Sequence, residues 1–92
     1  MPLTGSFSSA GQSNWFRAGV DTFSYELEFS STGTVSIERS LGGTSNPVVV
    51  KQVTDASDDD LKSGNLEPGS RKAFFRFNCS AVSGTIDYKM QL

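Results

Sequence analysis

The sequence predicts an all-β fold, an antiparallel β-sandwich of immunoglobulin-like or jelly-roll kind with six to eight short strands. Three observations predict it. Of the 92 residues, 22 are Ser or Thr, 9 are Gly and 7 are Phe, a composition typical of strands and turns. Several segments alternate apolar and polar side chains. Turn-forming clusters separate these segments at intervals of about 8–12 residues, the spacing expected of a sandwich.

Residues 1–13 form the first unit, and residues 14–92 are predicted to form a single β-sandwich domain. The first unit is small and polar, with Leu3 and Phe7 as its main apolar side chains. Because they are four residues apart, they point the same way on an extended chain. Two interpretations follow: a flexible arm that clamps a partner, or the first strand of the chain's own sandwich.

Trp15 and Phe16 are adjacent aromatic residues. Since neighbouring side chains of a strand point to opposite faces, one face cannot bury both. We therefore expect one ring in the core. For the pair as a whole two interpretations stay open: core packing alone, or contact of the second ring with a partner or a ligand.

The clearest strand lies within residues 22–30, and residues 34–41 alternate in the same way after a turn at residues 30–33. Glu38 is predicted to lie on the solvent-facing side of this second strand. The apolar members of the two strands are Phe23, Tyr25, Leu27, Phe29, Val35 and Ile37.

Residues 48–53 are predicted to form an edge strand, with Lys51 discouraging edge-to-edge pairing. Residues 54–72 are the least regular part of the chain. A helical turn over residues 58–62 is not predicted, because the segment is too short to form a helix reliably. Residues 73–81 and 85–92 are predicted as the last strands, joined by the turn at Ser83-Gly84. Their inward positions are Ala73, Phe75, Phe77, Cys79, Ala81, Ile86, Tyr88, Met90 and Leu92, which leaves Phe74 pointing outward.

The composition argues against several functional classes. The net charge is −2, from 8 basic and 10 acidic residues, whereas nucleic-acid binders usually carry a basic excess. Without histidine, the commonest general base and metal ligand is missing. No apolar run approaches the roughly 20 residues that cross a bilayer. We therefore expect no enzyme activity, no cofactor, no nucleic acid and no membrane. The N-terminal residues do not look like a signal peptide, which predicts synthesis in a cytoplasm.

The acidic loop at residues 55–60 is the best metal candidate, since Asp55, Ser57 and Asp59 have the spacing that opens a calcium loop. Asp60 stands where that loop needs Gly, and Leu66 stands where it needs an acid. A solvated acidic loop is the better interpretation, and no metal site is predicted. The single cysteine, Cys79, is interpreted as a small buried apolar residue.

Apolar groups left over after the core is filled predict association with partners. The candidate partner-binding residues are Leu3, Phe7, Trp15, Phe16 and Phe74. The rival interpretation is a carbohydrate-binding or tail- or fibre-associated module, in which Trp15, Tyr25 and Tyr88 stack on sugars.

The chain resembles a group of small structural proteins of tailed bacteriophages. The matching stretches are residues 3–7, 11–13, 33–40, 42–43, 67–69, 75–79 and 83–89, in the same order and at similar spacing. The resemblance implies a non-enzymatic virion component made in the host cytoplasm, a capsid decoration or cement protein. It implies binding to the major capsid protein as a homo-oligomer, with a trimer expected. Leu41 stands before the double Gly where similar sequences carry an acid, so no role of that loop is transferred.

Overall fold

The strands of this chain, seen in a computed structural model, form two sheets. The structure describes residues 2–19, 21–41, 46–57, 59–66 and 73–92. In order, the elements are β1 (Leu3–Phe7), β2 (Gly11–Gln12), β3 (Phe16–Gly19), β4 (Phe23–Phe29), β5 (Gly33–Leu41), β6 (Val48–Thr54), α1 (Asp59–Lys62), β7 (Ser63–Leu66), β8 (Ala73–Val82) and β9 (Ile86–Gln91).

All strand pairs are antiparallel. Sheet A has the order β1-β9-β4-β7, and sheet B has the order β2-β8-β5-β6, with β3 also paired to β8. Strands β2 and β3 follow one another along β8, so they are two halves of a single strand interrupted at residues 13–15. The chain therefore builds eight strands in two four-stranded layers.

The pairing is nested from the ends of the chain inward. The first strand pairs with the last, β2 and β3 with β8, β4 with β7, and β5 with β6. The pairs β4–β9 and β5–β8 then join these hairpins side by side. A long hairpin rolled into two sheets in this way is a jelly roll. The predicted β-sandwich is confirmed, and its topology is the jelly-roll alternative.

The core lies between the two sheets and is rich in aromatic side chains. Phe23 of sheet A packs against Phe75 of sheet B with ring centroids 4.6 Å apart. Tyr88 of sheet A packs against Phe77 of sheet B at 5.2 Å. These tilted contacts, typical of aromatic pairs, join the layers. The predicted inward faces of β4, β5, β8 and β9 are largely confirmed, although Phe29 and Tyr88 keep part of their surface exposed. Leu92 was wrongly predicted to face inward: it follows the end of β9 at Gln91 and is 63% exposed.

The structure departs from the sequence prediction at three further places. Strand β7 and the broken strand β2/β3 lie in segments without clear alternation. Ala81 was predicted to face inward but is exposed, because a bulge pairs Thr34 with Ala81 and Val35 with Cys79, leaving Ser80 unmatched. A helical turn, which the sequence made too short to predict, is present over Asp59–Lys62 as α1, and Asp58 lies outside the described residues.

Gly5 is required by close packing. It lies opposite Tyr88 in the β1–β9 ladder. A Cβ atom at this position would meet the hydroxyl of Tyr88 and come within 2.6 Å of its Cζ atom. The tyrosine ring thus covers the glycine, and Phe7 contacts the same ring at 4.8 Å between centroids. This glycine lets β1 pair with β9 as an edge strand of sheet A.

Candidate functional site

The structure separates the five residues that the sequence assigned to partner binding. Phe7 and Phe16 are buried, with 6% and 4% of their surface exposed. Phe7 packs against Tyr88, and Phe16 packs against Phe23 at 5.2 Å between ring centroids. This corrects the prediction for these two residues, because their rings fill the chain's own core. Leu3 is partly buried and packs against the same core from the start of β1.

Trp15 and Phe74 lie on the outer face of sheet B, where both keep part of their surface exposed. Phe16 and Phe75 are opposite one another and point inward. Phe74 precedes Phe75 on β8 and therefore points outward. Trp15 directly precedes β3, and the guanidinium of the outward-facing Arg76 lies over its ring. Arg17 is opposite Phe74 and exposed. The expectation that only one of the two adjacent aromatic rings enters the core is confirmed.

Four side chains on this face form a connected group, the Trp15 cluster: Trp15, Arg76, Glu38 and Asn78. The guanidinium carbon of Arg76 lies 4.5 Å from the centroid of the Trp15 ring. Arg76 Nε donates to Glu38 Oε1 at 2.7 Å, and Asn78 Nδ2 donates to Glu38 Oε2 at 3.2 Å. The tryptophan ring, the guanidinium and the carboxylate are thereby held in a fixed arrangement.

The strand register explains why the Trp15 cluster forms. Glu38 of β5 is directly opposite Arg76 of β8, so opposite charges meet across the ladder. The two side chains keep only 17% (Arg76) and 10% (Glu38) of their surface exposed. A charge-assisted hydrogen bond is stronger where water is partly excluded. The described residues contain no buried side-chain nitrogen or oxygen without a hydrogen-bond partner.

Chemically, the Trp15 cluster is suited to binding. Trp and Arg are the residue types that most often dominate the energy of protein interfaces, and Phe74 adds apolar surface two residues from Arg76. Since Arg76 is already fixed by its contacts with Trp15 and Glu38, a partner that binds here loses little side-chain entropy.

Sequence reasoning placed Glu38 in solvent and missed its role. The structure leaves only 8% of its surface exposed. The alternation of β5 correctly placed Glu38 on the outer face. Its ion pair with Arg76 could not be predicted in the same way, because it depends on the register between β5 and β8. The sequence signal that could have indicated this ion pair is the opposite charge of two outward-facing strand residues, Glu38 and Arg76.

Asp55, the first residue of the acidic loop, has a structural role. The Gly33 N–H donates to Asp55 Oδ1 at 3.0 Å, and the Asp55 N–H donates to the Gly33 carbonyl at 3.2 Å. These bonds tie the end of β6 to the start of β5. Within the described part of the chain, no group of three or more His, Cys, Asp or Glu side chains is arranged to hold a metal ion.

A groove of about 440 Å³ lies on the outer face of sheet A. In the β4–β9 ladder, Glu26 is opposite Lys89 and Glu28 is opposite Asp87. These charged side chains line the groove together with Lys62, and Glu26 and Glu28 are exposed to solvent.

Cys79 is buried and its sulfur donates to the Ala81 carbonyl at 3.3 Å. Burial raises the pKa of this thiol above its usual value, which disfavours the reactive thiolate at neutral pH. The cysteine therefore serves as a core residue, as the sequence predicted.

Comparisons with models of known protein families, with curated proteins and with solved structures find no match to this chain. Among the described residues there is no helix with the length and apolarity needed to cross a membrane.

Proposed function

We propose that this chain is a non-enzymatic virion structural protein, a capsid decoration or cement protein that binds the major capsid protein. The observation that carries the proposal is the Trp15 cluster, with Phe74 and Arg17 beside it, on the outer face of sheet B. An outer sheet face that carries a fixed aromatic–arginine pair suits the surface of another folded protein.

Two further considerations support the proposal. The first is the resemblance to small structural proteins of tailed bacteriophages. The second is the fold, because jelly rolls recur among viral capsid domains. The fold is an analogy only, since the same architecture also serves lectins and enzymes.

A protein of this kind stabilises the shell by mass action. If it binds the assembled capsid lattice and not the separated subunits, its binding free energy adds to the stability of the assembled state.

Binding to purified capsid shells, measured by co-sedimentation with the full chain, tests the proposal. We expect saturable binding that Trp15→Ala weakens at least tenfold, while Gln91→Ala, at an exposed position on sheet A, binds as the parent does. Purified virions should also contain the protein at a copy number close to that of the capsid protein. Absence from virions and from sedimented shells would refute the proposal.

The carbohydrate-binding alternative has less support from the aromatic side chains. Tyr25 is 1% exposed and its hydroxyl donates to the Leu61 carbonyl at 2.6 Å. The ring of Tyr88 is packed against Phe7 and Phe77. Trp15 alone remains on an outer face, and the Arg76 guanidinium lies over its ring. A glycan array probed with the full chain tests this alternative.

A further inference from the structure

The outer face of sheet B carries more positive than negative charge. Two arginines, Arg17 of β3 and Arg76 of β8, lie on this face. Glu38 is the only acidic residue in the strands of sheet B. The whole chain has a net charge of −2, so this face has the opposite sign to the molecule that carries it.

The two arginines are close enough to contact one segment of a partner. Arg17 is opposite Phe74, and Arg76 is two residues further along β8 on the same face. Residues in this diagonal relation across an antiparallel pair are about 7–8 Å apart, within reach of long side chains. Neighbouring carboxylates of a single partner segment can therefore meet both guanidinium groups.

Both guanidinium groups keep hydrogen-bond donors free for a partner. Arg17 is exposed, and among the described residues no acid lies within ion-pair distance of it. Arg76 donates from Nε to Glu38, and no described residue accepts a hydrogen bond from its two terminal nitrogens. These nitrogens reach solvent, since the described part of the chain has no buried side-chain nitrogen without a partner. A guanidinium binds a carboxylate through two parallel hydrogen bonds, so a carboxylate is the matching group.

Two partly exposed rings lie beside the arginines. The Trp15 ring lies under the Arg76 guanidinium, and Phe74 is opposite Arg17. A carboxylate bound to either arginine would lie next to apolar surface, which excludes water and strengthens a charged hydrogen bond. The face therefore suits an acidic segment that also offers an apolar side chain.

The outer face of sheet A has the opposite charge balance. The β4–β9 ladder places Glu26, Glu28 and Asp87 on it with Lys89, and Lys62 lines the same groove. An acidic surface would repel this side of the molecule and attract the outer face of sheet B. Charge asymmetry of this kind selects the orientation in which a protein meets its partner.

We propose that the outer face of sheet B recognises an acidic segment of a protein surface, with carboxylates at Arg17 and Arg76 and an apolar side chain against Trp15 and Phe74. This inference rests on the proposed function for the partner being the capsid protein. It adds the chemistry of the partner's surface and the face that binds it. A nucleic acid fits less well, because its phosphates are bound by a longer basic track than two arginines provide.

Trp15 is the single tryptophan of the chain, so its fluorescence reports binding at this face directly. The probe is the peptide Glu-Ser-Glu-Ser-Leu, blocked at both ends. On an extended chain its two carboxylates and its leucine point the same way, with successive members about 7 Å apart. We expect a saturable change in fluorescence that added NaCl weakens, since salt screens exposed charges. The matched peptide Gln-Ser-Gln-Ser-Leu should bind at least tenfold more weakly.

Charge reversal at two positions separates the face from the net charge. Arg17→Glu should weaken binding of the acidic peptide at least tenfold. Lys89→Glu changes the net charge by the same amount on sheet A and should bind the peptide as the parent does, and circular dichroism checks that both variants are folded. Equal binding of the two peptides, or an equal loss in the two variants, would overturn the proposal. Tighter binding of a thymidine oligonucleotide than of the acidic peptide would also overturn it.

The capsid-shell assay distinguishes a failure of this inference from a failure of the proposed function. Shell binding that Trp15→Ala weakens and Arg17→Glu leaves unchanged would overturn the acidic partner surface, while the capsid role would stand. Binding of the acidic peptide without any binding to shells would refute the capsid role, while the preference of this face for carboxylates would stand.

Discussion

The strand formed by β2 and β3 is interrupted at Ser13. There the hydroxyl of Ser13 takes the place of the backbone carbonyl that a regular ladder would use as an acceptor. Its N–H donates to the Phe77 carbonyl at 2.9 Å, as in a regular antiparallel ladder. The returning bond from the Phe77 N–H is accepted by Ser13 Oγ at 2.9 Å instead of by the serine's own carbonyl. The same hydroxyl donates to the Asn14 carbonyl at 2.9 Å. One side chain thus maintains the ladder across the interruption.

Ser13→Ala should destabilise the fold by leaving the Phe77 N–H without an acceptor. Ser13 is 7% exposed and Phe77 is fully buried, so water cannot replace the lost bond without a structural change. An unsatisfied buried donor costs about 1–3 kcal/mol. Taking about 2 kcal/mol, and about 4–8 °C per kcal/mol for a domain of this size, the Tm should fall by roughly 8–16 °C.

Thermal unfolding followed by circular dichroism measures this change. Ser9→Ala removes the same hydroxyl from an exposed position and should shift stability by less than about 0.5 kcal/mol. Hydrogen exchange gives a local readout, in which the Phe77 amide should lose protection in Ser13→Ala and not in Ser9→Ala. An unchanged Tm together with a protected Phe77 amide would refute the structural role assigned to the serine.

Three further predictions concern the core. Gly5→Val should displace the Tyr88 ring and cost about 1–3 kcal/mol in urea unfolding, and parent-like stability would mean that the ring does not cover this glycine. Phe77→Ala should cost about 3–5 kcal/mol because it leaves a cavity between the sheets, whereas Glu28→Gln on the surface should change stability by less than about 0.5 kcal/mol. A thiol reagent should modify Cys79 far more slowly in the folded protein than in urea. The raised pKa keeps the Cys79 thiol protonated in the folded protein at pH values where the unfolded thiol ionises. The free energy of unfolding should therefore fall as the pH rises above the pKa of the unfolded thiol. A free energy of unfolding that rises in this pH range would contradict the burial of Cys79 as a core thiol.

The sequence predicts the long strands well, because each buries one face against the other sheet. The alternation of residues 22–30 determines which side chains of β4 face the core, whatever the neighbouring strands are. The short strand β2 has only Gly11 and Gln12, both exposed, and its strand conformation depends on pairing with β8. A two-residue segment that buries nothing carries no periodic signal, so sequence reasoning could not find it.

The candidate site was predictable only in part, because the sequence indicates which face a side chain takes but not which residue lies opposite it. Strand parity indicates that either Trp15 or Phe16 lies outside, and Phe74 follows from the alternation of β8. The ion pair between Glu38 and Arg76 joins residues 38 positions apart, and it requires the β5–β8 register to be known. Register is a tertiary property, since shifting it by one residue would exchange the faces of a whole strand.

The pairing of β1 with β9 also has a consequence for the order in which this protein can fold. The ribosome makes β1 first, but the strand that receives it is translated after every other strand of the sandwich. Until then, the apolar Leu3 and Phe7 lack the β9 ladder that positions them. Contacts between distant parts of a chain slow folding because loop closure precedes the stabilising interactions. We therefore expect the nascent chain to remain open during synthesis, and the sandwich to form in a late step that begins only when β9 has emerged.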